Sequence, residues 1–372
     1  MRSITAIMRP VSTTCNLSCY YCYNKHELLS QRTNIMKLDI LSRAISSFIS
    51  SGNRTVKFLW HGGEPMIAGL DFFQNAVKLQ KIAVTQQCHS AIVKNNIQTN
   101  GLLLDREKAE FLISEKFHIG ISIDGPDYIH DQNRYNRFGK GSHELVISKI
   151  RMLKEMGGRC GALSVVTKSS LPYAQNIFDF FVSEGLTDMH FSPYAEIDPE
   201  TDKLDKKSIT AKEFGNFIGE IFEIWKALNN PSVKVRIIDN LLQGLLGGKA
   251  EVCTFARNCG HHLAVEVNGD VFICGRNTNN ERFSVGNVIR EEISNIITSQ
   301  TFQKIAEQMG CVSKICEKCK WFGICNGGCN YYKMLLTNAA TVNTEYFCEG
   351  YKIIIEKLEN WIRLESVTPR YL

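Results

Sequence analysis

Apolar and polar positions follow two rhythms along the first two thirds of the chain. Short apolar runs, read as strands, occupy Ile4–Arg9, Val56–Trp60, Ala91–Gln98, Phe117–Ile123, Ala162–Thr167 and Met189–Pro193. Between them lie stretches with helical periodicity: Leu38–Ile49, Leu70–Ala83, a helix capped by Asp105 and running to Ser114, His143–Met156 and Tyr173–Ser183. Six strand–loop–helix units in series predict a parallel sheet, curled or open. Polar loop residues fill Glu196–Ser208, and two further helical stretches follow at Ala211–Leu228 and Asp239–Leu246. The alternation stops near Ala250. Beyond it, Leu263–Cys274 alternates around Asn268-Gly269, a hairpin signal. Phe302–Gln308 and Tyr346–Trp361 read as helices. A domain boundary is therefore expected between 230 and 250, giving domains of 1–235 and 236–372.

Composition narrows the functional classes. The chain has 372 residues, 44% hydrophobic and 22% charged, enough apolar material for a large core. Its net charge of +5 is spread without a basic block, so a nucleic-acid partner is not expected. No apolar run reaches the length of a membrane span, and MRSITAIMRP is not a secretion signal; a cytoplasmic location is expected. Fourteen cysteines then need an explanation other than disulfides, and metal ligation is the natural one.

Cys15, Cys19 and Cys22 form C-x3-C-x2-C directly after the first strand. Three thiolates can hold three irons of a 4Fe–4S cube and leave the fourth open for a ligand. Zinc with His26 as a fourth ligand is the alternative. The spacing resembles that of the radical S-adenosylmethionine (SAM) enzymes, and Phe58–Pro65 (FLWHGGEP) matches that family's GGEP segment. The resemblance implies an α/β fold, a partial (β/α)6 TIM barrel followed by a cysteine-rich domain with a β-hairpin and helices. It also implies that Gly62, Gly63 and Glu64 bind the methionine end of SAM and that Tyr21 lies beside the adenine. Gln98–Gly101 (QTNG), Ser122–Pro126 (SIDGP) and His130–Arg134 (HDQNR) fall at strand ends, and the resemblance carries Ser122, Asp124 and Arg134 over as SAM-site residues.

A second cysteine set reads C-x2-C-x5-C-x3-C over Cys316, Cys319, Cys325 and Cys329, with Cys348 later and Cys253, Cys259 and Cys274 upstream. Eight thiols suffice for two closed four-cysteine sites, and a zinc ribbon would also explain the central four. The whole pattern resembles the SPASM domain of peptide- and protein-modifying radical SAM enzymes. That resemblance implies one auxiliary 4Fe–4S cluster on Cys253, Cys259, Cys274 and Cys329 and a second on Cys316, Cys319, Cys325 and Cys348, three clusters in all. Cys88 and Cys160 read as inert thiols and Cys311 as a spare one.

Such an enzyme removes a substrate hydrogen with a 5′-deoxyadenosyl radical, and two extra clusters suit a net two-electron oxidation. The overall pattern is similar to anaerobic sulfatase-maturating enzymes, which make formylglycine from Ser or Cys. Those enzymes place an Asp base after the residue equivalent to Cys274, whereas this chain has Gly275-Arg276. The WHGGEP form looks more like maturases of ribosomally made peptides (RiPPs), so a carbon-centred side-chain crosslink in a precursor peptide is the first expectation, formylglycine the alternative. His61 and Arg276 are the candidate catalytic residues: His61 a base or positioning group, Arg276 a contact to the peptide. Further expected partners are a peptide or protein substrate and an electron donor such as flavodoxin or ferredoxin. No recognition domain is expected ahead of the first strand.

Overall fold

The computed structural model describes residues 3–24, 34–87, 90–198, 200–278, 280–334 and 344–365. His26 and Cys88 lie outside the described residues. The chain packs as two units, each built from several segments.

The first unit comprises Met1–Ser122, Asp131–Cys160 and Asn258–Met309. Strands β1 (Ser3–Met8), β2 (Thr55–Trp60), β3 (Ile92–Thr99) and β4 (His118–Ser122) lie side by side in that order, all parallel. Helices Leu38–Ile49, Leu70–Gln87 and Arg106–Ser114 connect them, the last capped by the Asp105 carboxylate, which accepts from Lys108 N–H. Alternation does what the pattern predicts. Ile4, Ala6 and Met8 of β1 and Val56, Phe58 and Trp60 of β2 are all buried. Phe48, Phe72 and Phe73 from the helices meet Phe58 and Trp60 edge-on, at centroid distances from 5.5 to 6.3 Å. Met8 pairs with Trp60, so β1 and β2 end level and release their loops from the same edge. That register sets the FLWHGGEP turn beside the loop of Cys15, Cys19 and Cys22.

The expected hairpin forms and joins this unit. His262–Val265 pairs parallel to β1, Met8 opposite Val265, and Asp270–Ile273 returns antiparallel to it. Its turn turns on Gly269 at φ +87°. Because the hairpin extends the edge of β1, the packing units do not follow the single division at 235/236 that the sequence suggests.

The second unit comprises Ile123–His130, Gly161–Arg257 and Gly310–Leu372. Here β5 (Cys160–Val166) and β6 (Asp188–Pro193) run parallel, with Lys234–Val235 beside β6. Helix Ala211–Leu228 has the expected ends: Thr210 and Glu213 form a capping box, and Asn229 terminates it in a left-handed conformation. It packs against Cys348–Glu365 through facing glycines. A Cβ on Gly215 would lie 2.7 Å from Gly350 Cα, so the two backbones touch where side chains would separate them. Beyond that crossing, Trp361 closes on Phe222 and Trp225 at 5.5 and 6.0 Å. Among the described residues, no helix is long and apolar enough to cross a membrane.

Candidate functional site

In the first unit the loop after β1 is clamped from two sides. Gly63 N–H donates to Ser12 O at 2.7 Å and Glu64 N–H to Thr14 O at 2.8 Å. Ser18 N–H donates to Tyr135 O at 2.7 Å and Tyr20 N–H to Asn133 O at 2.8 Å, one bond on each side of Cys19. The two glycines of GGEP are explained by the first clamp. A Cβ on Gly62, which sits at φ +113°, would lie 2.6 Å from Ser12 O, and one on Gly63 would lie 2.6 Å from Thr14 C. The two glycines thus let the GGEP turn lie against the backbone of the cysteine loop.

The donors around Cys15 suit a thiolate bound to iron. Leu17 N–H reaches its Sγ at 3.4 Å and Asn100 Nδ2 at 3.7 Å. Burial, then the Glu64 charge, pushes the Cys15 thiol up to about 12. A metal cation bound at the loop would oppose that shift and favour the thiolate.

Glu64 is 1% exposed, and its carboxylate ties the exit of β2 to that of β3. Oε1 accepts from Thr99 Oγ1 at 2.7 Å and Met66 N–H at 3.0 Å, and Oε2 from Asn100 N–H at 2.7 Å. A carboxylate has about four acceptor positions, so Oε2 keeps capacity for an ammonium. Burial raises the Glu64 carboxyl to about 7 despite these bonds. Ser122 Oγ accepts from Gln98 Nε2 at 2.9 Å, joining QTNG to SIDGP. Arg134, 5% exposed, places its guanidinium 5.2 Å from the Tyr21 ring centroid. Tyr21, expected beside the adenine, and Arg134, expected in the SAM site, therefore stand together. Asp124 belongs to the second unit. It is fully buried, and its Oδ1 accepts from Val165 N–H at 2.9 Å, a bond that holds the turn after β4 to β5.

His61 is held neutral. Burial, aided by Arg9 and Arg276, lowers its pKa to about 4. Its Nδ1 accepts from Gly62 N–H at 2.6 Å, so the ring proton resides on Nε2. That tautomer donates from Nε2. The geometry therefore favours the positioning role expected for His61 over that of a base. Tyr23 OH lies 3.5 Å from the same Nδ1, and the Arg276 guanidinium sits 6.0 Å from the Tyr23 ring centroid.

The residue that organises this corner was missed in the sequence. Arg9, 1% exposed, pairs through Nε with Glu266 and reaches Asn24 Oδ1 at 3.4 Å and Gly275 O at 3.5 Å. Asn24 Nδ2 in turn donates to Gly62 O at 3.2 Å. Arg9 thus braces the cysteine loop, the GGEP turn and the segment after Cys274. The available signal was a cation ending an apolar strand.

Among the second cysteine set, Cys316, Cys319, Cys325 and Cys348 line one pocket in the second unit. These are the four expected to share a site, and Cys329 is not among its lining. Burial raises the Cys325 thiol, and it takes Cys348 to about 11. Four thiols around one pocket, Cys316 buried and the other three half-buried, fit a group that exchanges their protons for metal. Glu345 shares the pocket, 2% exposed, its carboxyl raised by burial to about 8. Cys259 and Cys274 neighbour each other in the first unit, and Cys253 and Cys329 belong to the second.

Comparison with known proteins decides between iron–sulfur and zinc. Residues 10–174 match the radical SAM superfamily, and residues 253–320 match SPASM, an iron–sulfur cluster-binding domain. The chain is a radical SAM enzyme with a SPASM domain. It is 29% identical to a serine-type anaerobic sulfatase-maturating enzyme of Bacteroides thetaiotaomicron, covering 94% of this chain and 88% of that one. To a cysteine-type anaerobic sulfatase-maturating enzyme of Clostridium perfringens it is 28% identical, covering 96% of both. Its fold matches the solved structure of anSMEcpe with bound AdoMet at a TM-score of 0.88 and 26% identity, over 98% of this chain and 99% of that one. The expected α/β architecture with a central parallel sheet and a cysteine-rich domain holds for this radical SAM enzyme. Zinc, kept open on sequence alone, is set aside. The relatives favour the sulfatase-maturase alternative over the crosslinking expectation.

Proposed function

We propose that this radical SAM enzyme oxidises one side chain of a peptide or protein substrate by two electrons. The observation that carries this reading is the Cys15, Cys19 and Cys22 loop locked by backbone bonds to Gly63 and Glu64, in a chain whose relatives are sulfatase maturases. In this reading Cys15, Cys19 and Cys22 hold a 4Fe–4S cluster. Cys253, Cys259, Cys274 and Cys329 hold a second, and Cys316, Cys319, Cys325 and Cys348 a third. When bound, the first cluster and SAM supply the 5′-deoxyadenosyl radical that abstracts a substrate hydrogen. Glu64 would accept from the ammonium of SAM, Tyr21 and Arg134 would hold its adenine and carboxylate ends, and Ser122 and Asp124 would shape the ribose side. Nε2–H of His61 and the Arg276 guanidinium orient the peptide. A flavodoxin or ferredoxin is the electron donor.

Formylglycine formation from Ser or Cys of a sulfatase has the stronger support, from the relatives. Crosslinking of a ribosomally made peptide is the second reading. It is favoured by Gly275-Arg276, where the maturases are expected to carry a carboxylate base. Anaerobic incubation with SAM, dithionite and a sulfatase peptide containing the target Cys separates them. An aldehyde that reacts with a hydrazide supports formylglycine. A product lighter by two hydrogens, without aldehyde and bridged on fragmentation, supports the crosslink. The Cys15→Ala/Cys19→Ala/Cys22→Ala variant is expected to make no 5′-deoxyadenosine while keeping the iron of the other sites. Undiminished 5′-deoxyadenosine would refute the assignment of the first site.

A further inference from the structure

Residues 133–141 form a small hairpin in the first unit, closed by the bridge between Tyr135 and Gly141. Its base is bonded to the cysteine loop on both sides of Cys19, through Ser18 N–H to Tyr135 O and Tyr20 N–H to Asn133 O. Its tip carries Arg137, Phe138, Gly139 and Lys140, all exposed. Phe138 is 80% exposed, and the Arg137 guanidinium lies 4.8 Å from its ring centroid. The tip is braced from within. Asn136 Oδ1 accepts from Phe138 N–H at 2.9 Å and Lys140 N–H at 3.1 Å, and Asn136 N–H donates to Lys140 O at 2.9 Å. A braced turn holds its aromatic ring out and does not fold it back. Between Asp131 and Glu144 the sequence contains no carboxylate, so the cations of the tip have no local counter-charge along the chain.

We propose that this hairpin is the docking surface for the electron donor, a small acidic carrier protein. The inference rests on the proposed function, which requires one electron at the site of Cys15, Cys19 and Cys22. An exposed aromatic beside an arginine is the composition of an interface anchor. Two cations around it would steer an acidic partner and fix its orientation. The bonds from Tyr135 and Asn133 put that partner against the backbone that carries Cys19. One electron leaves the carrier's reduced flavin or iron–sulfur centre and enters the centre held by the three cysteines. No atom is transferred. The carrier emerges oxidised by one electron.

The test compares two reductants. The Arg137→Glu/Phe138→Ser/Lys140→Glu variant is made as holoenzyme and its 5′-deoxyadenosine formation measured with dithionite, with reduced flavodoxin and with reduced ferredoxin. The expected result is an unchanged dithionite rate, a fall of about tenfold or more at limiting carrier, and loss of the salt dependence that the wild type shows with the carrier. Equal loss with dithionite would make the hairpin a support of the cysteine loop and overturn the proposal. An undiminished carrier-driven rate overturns it too, as does failure of both carriers to drive the wild type. Absence of SAM cleavage by the wild type with dithionite is a different failure: it removes the functional reading, and the docking surface with it.

Discussion

The Gly63→Ala variant isolates what the GGEP glycines do. If they served only to admit a ligand, a methyl group would weaken SAM binding and leave the protein otherwise intact. The structure says otherwise. The added Cβ would stand 2.6 Å from Thr14 C and 2.7 Å from Thr13 C, and Thr14 O is closer still. These atoms are backbone, and no flexible side chain can swing away. Thr14 O stands at 1.9 Å and ordinary van der Waals contact begins near 3.4 Å, so the loop has to retreat by about 1.5 Å. Overpacking of this kind costs about 1–3 kcal/mol. The displaced segment is the one that leads into Cys15. It also carries the acceptors for Gly63 N–H and Glu64 N–H. A misplacement of about 1 Å at a reacting centre costs about a hundredfold in rate. The assays are iron and sulfide content, thermal unfolding and 5′-deoxyadenosine formation with dithionite. Gly63→Ala is expected to lower iron content, unfolding temperature and SAM cleavage together. Gly310→Ala, where an added Cβ meets nothing within 4 Å, is the neutral control. Wild-type iron content combined with weak SAM binding alone in Gly63→Ala would refute the clamp.

Glu64 gives the pH dependence. Its folded carboxyl is raised from 4.5 to about 7 by burial, so the SAM-free chain is most stable with Glu64 protonated and loses about 3 kcal/mol as pH rises through that window. A bound ammonium favours the ionised form, so SAM should bind about tenfold more tightly at pH 8 than at pH 6. Calorimetry at both pH values checks this, and the same pH dependence in Glu64→Gln would rule it out. His61, lowered to about 4, stays neutral across the working range and should contribute no inflection to the pH–rate profile between 5 and 8. His61→Ala is expected to reduce product far more than SAM cleavage, and His61→Gln, which keeps a donor, to recover part of the difference. Equal loss of both activities in His61→Ala would place His61 in the SAM site.

Local signals were legible in the sequence wherever the cause was local. Alternation placed β1 and β2, helical periodicity placed the 211–228 helix, and Asn268-Gly269 placed the hairpin. Spacing alone put Cys329 with Cys316, Cys319 and Cys325; the resemblance to the SPASM domain put Cys348 there instead, and Cys348 is the one that lines the pocket. The rest depends on which distant segments meet. Arg9 and Glu266 pair across most of the chain, and periodicity carries no term for such a partner. The hairpin's place on the edge of β1 was hidden for the same reason, and with it the division into interleaved units. The glycines of GGEP were recognised, but what they touch was not, since a sequence names the residue without naming its neighbour. Preference among chemistries was the weakest reading, because a single missing carboxylate outweighed an otherwise maturase-like pattern.

The last helix opens on Cys348, one of the four thiols around the second unit's pocket, and runs to Glu365. Its peptide dipoles therefore all present their positive end toward that sulfur. Whatever negative charge gathers there is met by a field built from the backbone itself, which no side-chain substitution along the helix can remove. The same element that packs through Gly350 and Trp361 thus also turns a positive field on that pocket, one that would favour an anionic group bound there.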